Sequence, residues 1–306
     1  MPERVMENSE LETMIDTSDQ WIQERTGIRK RHIAAETETT CDMAEQAARR
    51  ALQAAAIDVN TIDQIIVATT TPDLIFPSTA CLLQDRLGIK NNCAAYDVQA
   101  VCTGFMYALS IADKFIKSGS NKRILVVGAD VNSKITDWKD RGTCVIFADG
   151  AGAVILDASD EPGIYSTHLH ADGSYTPLLN VPSGVSKPGD YPYMTMKGNE
   201  VFRIAVKTLG DIVDETLAAN NLSKSDIDWL VPHQANIRII SATAKKLELP
   251  MTKVVQTIAE HGNTSGGSIP LAMDSAIQSG SIKRGDLLLL EAFGAGFTWG
   301  SALIRY

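Results

Sequence analysis

The sequence lacks several features that would assign it to a class at once. No apolar run approaches the roughly 20 residues that a membrane-spanning helix needs. The N-terminus, MPERVMENSELE, is polar and acidic, which is typical of neither a signal peptide nor a transit peptide. We therefore expect a cytoplasmic protein. With 306 residues, 44% hydrophobic and 21% charged, the composition predicts a soluble globular chain with a large core.

Cysteine, histidine and positive charge are also scarce. The five cysteines are odd in number and include no C-x-x-C pair, which favours reduced thiols over a disulfide framework or a zinc site. The net charge of −9 argues against a general nucleic-acid binder, since affinity for phosphate needs clustered Lys and Arg. His168 and His170 alternate on one predicted strand face without an evident third ligand, so we predict no metal site.

The segment 94–104, AAYDVQAVCTG, is the stretch around which the chain is organised. A short apolar run at 94–98 predicts a buried strand, Cys102 follows it, and an apolar pattern at helical spacing starts directly afterwards. Free backbone N–H groups and the positive end of the helix dipole at such a junction favour a thiolate. Because a lone cysteine is more often a buried structural residue, its function depends on the rest of the chain.

The second half of the chain repeats the order of the first. The segments 63–66, 78–87, 94–104, 124–127 and 147–156 are matched in order by 228–231, 237–247, 254–267, 287–290 and 291–304. GAG precedes the apolar strand in the last segment of each series. This two-copy repeat of strand–helix units predicts an α/β protein with two halves, residues 1–157 and 158–306, whose sheets are covered by helices.

Three polar residues lie at predicted strand ends, where α/β sheets collect ligands. They are Cys102, His233 in VPHQAN and Asn263 in HGNTS. Taken singly, a His after a strand is more often a hydrogen-bonding residue, and an Asn in a Gly-rich turn usually serves the turn. Their equivalent placement in a duplicated fold predicts that they converge on one pocket.

With these residues in place, the chain resembles the β-ketoacyl-[acyl carrier protein] synthase III family, whose fold is thiolase-like. The motifs that carry the resemblance span nearly the whole chain: VPHQAN (231–236), HGNTS (261–265), EAFGAGFTWGSAL (291–303), DTSDQWIQERTGIR (16–29) and FADGAGA (147–153). The resemblance implies duplicated α/β/α layers in two pseudo-symmetric halves with mixed five-stranded sheets. It also implies the initiating step of fatty acid synthesis, a decarboxylative Claisen condensation of acetyl-CoA with malonyl-acyl carrier protein. No cofactor is implied, because CoA thioesters are substrates.

The resemblance also implies a role for each polar residue. Cys102 would attack acetyl-CoA and hold the acetyl group as a thioester, which is reactive enough to be transferred to carbon. His233 and Asn263 would stabilise the enolate formed when the malonyl thioester loses CO2. The backbone N–H groups of Cys102 and Ala295 would form the oxyanion hole.

Binding residues follow from the same resemblance. Trp21 would stack on adenine, and the other CoA-binding residues would be Arg25, Thr26, Arg141, Gly198, Asn199, Ala235 and Asn236. Basic residues that share helix faces would bind the acidic carrier protein, namely Arg203, Lys207, Arg238, Lys245 and Lys246. The acyl pocket would contain Phe76, Asn132 and Phe147, with Phe76 reaching the partner's pocket in a homodimer. The alternatives to these binding roles are structural. Trp21 would then be a half-buried surface aromatic, and each basic residue would belong to a plain solvated helix face.

The chain departs from the family pattern in two places, and two alternative functions stay open. Asn132 stands where relatives commonly carry an apolar residue, so the acyl-chain preference is not fixed. No apolar run like GIYSTHLHA precedes the first half's helix, and we expect that half to lack an edge strand and the natural protein to begin about ten residues earlier. One alternative is a related CoA-dependent enzyme that uses a longer acyl-CoA in secondary metabolism. The other is a CoA-binding or scaffold protein without chemistry, which the intact Cys–His–Asn set disfavours.

Overall fold

The computed structural model describes residues 1–306. The strands are β1 (Val5–Glu7), β2 (Lys30–His32), β3 (Gln64–Ala68), β4 (Ala94–Val98), β5 (Arg123–Val131), β6 (Asp149–Asp157), β7 (Ile164–Ala171), β8 (Leu179–Asn180), β9 (Thr195–Met196), β10 (Trp229–Pro232), β11 (Leu287–Gly294) and β12 (Thr298–Arg305). The helices are α1 (Asn8–Glu12), α2 (Asp19–Thr26), α3 (Thr40–Ala55), α4 (Thr79–Arg86), α5 (Gly104–Lys117), α6 (Gly198–Ala219), α7 (Ile237–Lys246), α8 (Ile258–His261) and α9 (Ser268–Gln278).

Two mixed sheets form the centre of the fold. The first has the strand order β4-β3-β5-β6, and the second has the order β10-β11-β12-β7. The pairs β3–β5 and β10–β11 are parallel, and the pairs β5–β6 and β11–β12 that follow them are antiparallel. The same order and directions in both halves confirm the duplication that the sequence predicted.

Each sheet has four strands and not five. The strand β12 carries β7 on its outer side, whereas its counterpart β6 is the last strand of the first sheet, as we expected for that half. At the opposite edge of the second sheet, the segment that corresponds to β4 makes a single bridge between Val254 and Leu230. This segment leaves the sheet after one residue and soon enters α8, so it adds no fifth strand.

Helices lie on both faces of each sheet. The helices α5 and α9 lie between the two sheets, and residues such as Phe105 and Ile269 share one core with β3, β5, β10 and β11. The helices α3 and α4 cover the outer face of the first sheet, and α6 and α7 cover that of the second. The order of layers confirms the thiolase-like fold. The division at residue 157 stays a prediction, because the central core draws residues from both halves.

Local sequence signals place α2, which carries several residues of the predicted binding site. The Ser18 side chain accepts a hydrogen bond from Trp21 N at 3.1 Å and so caps the start of the helix. Gly27 ends it with a φ of +79°, a left-handed conformation that suits glycine. A Cβ at Gly27 would lie 2.6 Å from Ile237 Cβ, so the glycine also allows α2 to pack closely against the start of α7.

No helix combines enough length with enough apolar residues to cross a lipid bilayer. A long loop without helix or strand joins β8 to β9.

Candidate active site

Cys102 lies in a single turn between a strand and a helix. The strand β4 ends at Val98, a 3-10 turn covers Val101–Thr103, and α5 begins at Gly104. This is the junction that the sequence predicted. Val101 has a φ of +50°, which is costly for a β-branched residue. Such strained backbone concentrates at functional turns.

Burial decides the ionisation of the Cys102 thiol. The residue is 6% exposed. Loss of hydration raises the pKa of the thiol to about 12, while the Ser265 hydroxyl lowers it and the Asp130 carboxylate raises it by smaller amounts. The sequence predicted that backbone N–H groups and the helix dipole favour a thiolate here. Burial acts in the opposite direction and is the largest effect on the pKa of this thiol.

His233 follows β10 and is a neutral hydrogen-bond donor. Burial lowers the pKa of its imidazole to about 3, so the ring is uncharged at neutral pH. Its Nδ1 lies 2.6 Å from Ser268 Oγ. With the Ser268 hydroxyl donating to Nδ1, the ring carries its proton on Nε2, which makes no hydrogen bond within the protein. His233 N donates to Glu291 O at 2.7 Å, which ties the residue to the middle of β11.

Asn263 lies in the turn between α8 and α9, and its amide orientation is fixed. Its Oδ1 accepts a hydrogen bond from Ser265 N at 2.9 Å. Its backbone pairs with the segment before β6, since Asn263 O accepts from Ala148 N at 2.9 Å. Because Oδ1 is occupied, Nδ2 is left to donate. Asn263 and His233 can therefore both donate to an oxygen on which negative charge develops.

One pocket of about 350 Å³ brings the three residues together. Cys102, His233 and Asn263 line it, and its volume lies in the usual range for small-molecule sites. Every residue that was predicted to bind CoA also lines it, namely Trp21, Arg25, Thr26, Arg141, Gly198, Asn199, Ala235 and Asn236. The predicted convergence on one pocket is thus present in the structure.

An aromatic ring flanked by cations lies in this pocket. The Arg141 Cζ is 4.8 Å from the centroid of the Trp21 ring, and the Arg25 Cζ is 5.9 Å from it. Arg141 also donates to Asp16 O at 2.9 Å, which fixes its guanidinium beside α2. An aromatic face between two guanidinium groups suits a planar base attached to phosphates.

The predicted acyl-pocket and oxyanion residues are more dispersed. Phe147 lines the pocket, but Asn132 and Phe76 do not. Asn132 is buried and its Nδ2 donates to Ala148 O at 2.8 Å, whereas Phe76 is 82% exposed. Ala295 is half-buried and follows Gly294, where a Cβ would lie 3.0 Å from Cys102 N. The end of β11 therefore packs directly against the backbone amide of the nucleophile turn.

The predicted carrier-protein residues lie on α6 and α7, two helices that pack against each other. Arg203, Lys207 and Lys245 are exposed. Arg238 lines the pocket and its Cζ lies 4.7 Å from the centroid of the Phe202 ring. Lys246 forms an ion pair with Asp214 at 2.6 Å, which compensates part of its charge.

The sequence analysis missed the polar residues that hold His233, Asn263 and their loops in place. Ser268 orients His233, and Ser265 fixes the amide of Asn263. The Gln234 side chain is hydrogen-bonded to four backbone groups of its own loop and of the segment 255–258. Ser268, Ser265 and Gln234 are each close in sequence to His233 or Asn263. That closeness is the feature of the sequence from which their supporting role could have been predicted.

Comparisons with known proteins give the family context of this pocket. Residues 96–173 match the family described as 3-oxoacyl-[acyl-carrier-protein (ACP)] synthase III, and residues 217–306 match its C-terminal family. The chain is 62% identical over 311 residues to the beta-ketoacyl-[acyl-carrier-protein] synthase III of Thioalkalivibrio sulfidiphilus, covering 100% of this chain and 96% of that protein. It is 60% identical to that of Alkalilimnicola ehrlichii, with the same coverage. The crystal structure of 3-oxoacyl-[acyl-carrier-protein] synthase III from Aquifex aeolicus VF5 superposes with a TM-score of 0.95 at 46% identity, covering 100% of this chain and 97% of that one.

Proposed function

The chain belongs to the β-ketoacyl-[acyl-carrier-protein] synthase III family, and we propose that Cys102, His233 and Asn263 are the catalytic residues of its condensation reaction. The enzyme is an acyltransferase that condenses acetyl-CoA with malonyl-acyl carrier protein and so initiates fatty acid synthesis. The observation that carries the assignment of residues is the shared pocket, in which one buried thiol faces two oriented hydrogen-bond donors.

Cys102 carries the acetyl group in this proposal. The thiol attacks the carbonyl carbon of acetyl-CoA, the carbon–sulfur bond to CoA breaks, and a thioester to Cys102 remains. The oxygen of the tetrahedral intermediate is stabilised by the backbone N–H groups of Cys102 and Ala295. Support for the position of this oxyanion hole comes from Gly294, whose lack of a side chain lets β11 approach Cys102 N.

His233 and Asn263 act in the second half of the reaction. Loss of CO2 from the malonyl thioester leaves an enolate, and the enolate carbon attacks the acetyl group on Cys102. Decarboxylation needs no base, but it needs donors aimed at the enolate oxygen. A neutral imidazole with its proton on Nε2 and an amide with free Nδ2 donors meet this need without taking a proton from the substrate.

The substrates enter along the residues that line the rest of the pocket. Trp21, Arg25 and Arg141 hold the nucleotide of CoA, and the pantetheine arm extends past Gly198 and Asn236 towards Cys102. The carrier protein docks on the basic residues of α6 and α7. A homodimer, in which the exposed Phe76 reaches the acyl pocket of its partner, and a cytoplasmic location complete the proposal.

Acetylation of Cys102 tests the nucleophile directly. We expect acetyl-CoA to add one acetyl group, read by intact mass, and peptide mapping to place it on Cys102. Cys102→Ser should lose condensation by several orders of magnitude, because a hydroxyl lacks the reactivity of a thiolate. Cys41→Ser is the matched control, since Cys41 is also buried but lies on the core-facing side of α3, outside the pocket. Substantial condensation by Cys102→Ser would refute the assignment.

Asn263→Ala separates the two half-reactions. It should still acetylate Cys102 but fail to decarboxylate malonyl-acyl carrier protein, because it removes a donor to the enolate and not the nucleophile. Equal losses in both half-reactions would show that the division of roles is wrong. Acetylation by acetyl-CoA measured against longer acyl-CoA thioesters would decide the remaining alternative, a relative that starts from longer chains.

A further inference from the structure

The segment that leads to Asn263 leaves the second sheet early, unlike its counterpart in the first sheet. In the first half, β4 pairs with β3 over its whole length, from Ala94 to Val98. In the second half a single bridge joins Val254 to Leu230, and the chain then bends away into α8 and reaches Asn263. The bend leaves the backbone groups before α8 without strand partners, and buried groups of this kind need other partners.

The side chain of Gln234 supplies those partners. It is 1% exposed, and its Nε2 donates to Val255 O at 3.1 Å. Its Oε1 accepts from Thr257 N at 2.8 Å and from Ile258 N at 3.0 Å, which satisfies free N–H groups at the start of α8. The second N–H of Nε2 donates to Pro232 O at 2.8 Å, at the end of β10. Every donor and acceptor of the amide is therefore used, so its orientation is fixed.

The other end of the segment is held by the same part of the chain. Ser268 Oγ lies 2.6 Å from His233 Nδ1 and accepts a hydrogen bond from Gln234 N at 3.4 Å. Asn263 lies five residues after Ile258 and five residues before Ser268. Two consecutive residues, His233 and Gln234, thus hold both ends of the segment 258–268, with Asn263 at its middle.

We propose that Gln234 is a positioning residue that sets the separation between the two enolate donors, His233 and Asn263. The proposal rests on the roles proposed above for these two residues in the malonyl half-reaction. One enolate oxygen has to meet both donors at once, although they come from different loops, and a hydrogen bond weakens steeply as its geometry departs from the optimum. Gln234 does not line the pocket, whereas His233 and Ala235 on either side of it do, so it acts through its neighbours.

The nucleophile turn is held by different contacts. Thr103 Oγ1 donates to Thr298 O at 3.1 Å, and a Cβ at Gly294 would lie 3.0 Å from Cys102 N. None of the four hydrogen bonds of the Gln234 side chain reaches this turn. Loss of that side chain should therefore affect the malonyl half-reaction and spare the acetylation of Cys102.

Gln234→Met tests the proposal in the full-length enzyme. Methionine is unbranched and of similar length, but it makes none of the four hydrogen bonds. We expect decarboxylation of malonyl-acyl carrier protein to slow about 100-fold, the effect of a small misplacement of reacting groups, and the acetylation of Cys102 to keep its wild-type rate. The loss should appear in kcat and not in KM, because the donors act on charge that develops in the transition state. Acetylation of the same sample, read by intact mass, measures the fraction of folded protein.

A double variant separates positioning from general destabilisation. Gln234→Met should slow decarboxylation less in an Asn263→Ala background than in the wild type, because one of the two donors that Gln234 places is already missing. A purely structural effect of Gln234→Met would instead multiply with the loss caused by Asn263→Ala.

Gln64→Met is the matched control, since Gln64 is also a buried glutamine, 2% exposed, whose Nε2 donates to Tyr96 OH at 2.6 Å. Neither Gln64 nor Tyr96 lines the pocket, so both half-reactions should keep their wild-type rates. If Gln234→Met does not fold, Gln234→Glu decides by the same two rates, because it keeps the acceptors at the start of α8 and loses both donors.

The outcomes distinguish the role of Gln234 from the proposed function. Wild-type decarboxylation by the Gln234 variant, equal losses in both half-reactions, or multiplied losses in the double variant would overturn the role of Gln234 alone. Wild-type decarboxylation by Asn263→Ala would overturn the proposed enolate donors as well.

Discussion

Glu291 is a fully buried carboxyl group without a hydrogen-bond partner, and we predict that it makes the protein less stable as pH rises. It lies in β11, is 1% exposed, and neither of its carboxyl oxygens has a partner. Its cross-strand neighbour Ser301 is already engaged, since Ser301 Oγ lies 2.6 Å from Thr216 Oγ1. Burial raises the pKa of Glu291 to about 8, and the nearby Thr243 acts in the opposite direction.

The direction of this pH dependence follows from which state, folded or unfolded, holds the Glu291 proton more tightly. Between pH 4.5, the ordinary value, and about 8, the folded protein keeps the Glu291 proton and the unfolded chain does not. The unfolded state is therefore favoured as pH rises through this window. Each pH unit removes about 1.4 kcal/mol from the free energy of unfolding. The loss attributable to Glu291 is about 3 kcal/mol at pH 7 and about 4 kcal/mol at pH 8.

Glu291→Gln removes the ionisable group while keeping its shape. At pH 5 both side chains are neutral, so the variant and the wild type should differ little in stability. At pH 7 the variant should be more stable by about 3 kcal/mol, which for a chain of this length raises Tm by about 5 °C. The measurement is denaturant and thermal unfolding of both proteins at pH 5, 6, 7 and 8.

Glu161→Gln provides the baseline, because Glu161 is exposed and forms no ion pair. The Glu291 reasoning is refuted if the difference in unfolding free energy between Glu291→Gln and the wild type stays constant from pH 5 to pH 8. It is also refuted if Glu161→Gln shows the same pH-dependent gain.

Two further predictions concern the nucleotide end of the pocket and the contact between the two halves. Trp21→Ala should raise the KM for acetyl-CoA about tenfold, the effect of losing one stacked base, but leave the KM for an acetyl-pantetheine thioester unchanged; equal effects on both substrates would contradict stacking. Gly128→Ala should destabilise the protein by about 1–3 kcal/mol or more and reduce condensation, because its Cβ would lie 2.1 Å from Gly266 O. Gly163→Ala, where a Cβ meets nothing within 4 Å, should leave both unchanged.

Local patterns predicted most of the fold because its elements are regular. The apolar run at 94–98 corresponds residue for residue to β4, and the predicted helix at 237–247 differs from α7 only at its last residue. Helical and strand periodicities depend on which residues face the core, and the sequence contains that information. The number of strands was not predictable in the same way. The segment after Pro250 contains an apolar pair, but it pairs with β10 at a single residue.

The sequence predicted the motif residues of the candidate site but not the buried residues that surround them. Cys102, His233 and Asn263 could be singled out because they lie at strand ends in a duplicated chain. The burial of Asp130 and Glu291 could not be predicted, because both lie in apolar strands and their neighbours come from distant parts of the sequence. The burial that raises the pKa of the Cys102 thiol was not predictable either, since the sequence does not give the depth of burial.

Burial also explains why side chains of this pocket are uncharged at rest although the pocket stabilises negative charge during the reaction. The same loss of hydration raises the pKa of the Cys102 thiol to about 12 and lowers that of His233 to about 3, so both groups are neutral. Two buried carboxyls differ in their donors: the pKa of Asp130, which has three donors, rises to about 6, and the pKa of Glu291, whose oxygens have none, rises to about 8. Hydrogen-bond donors, and not opposite charges, therefore decide where an anion is tolerated here. The enolate oxygen meets the same kind of environment, with the donors of His233 and Asn263 already oriented by Ser268 and Ser265 before any charge appears.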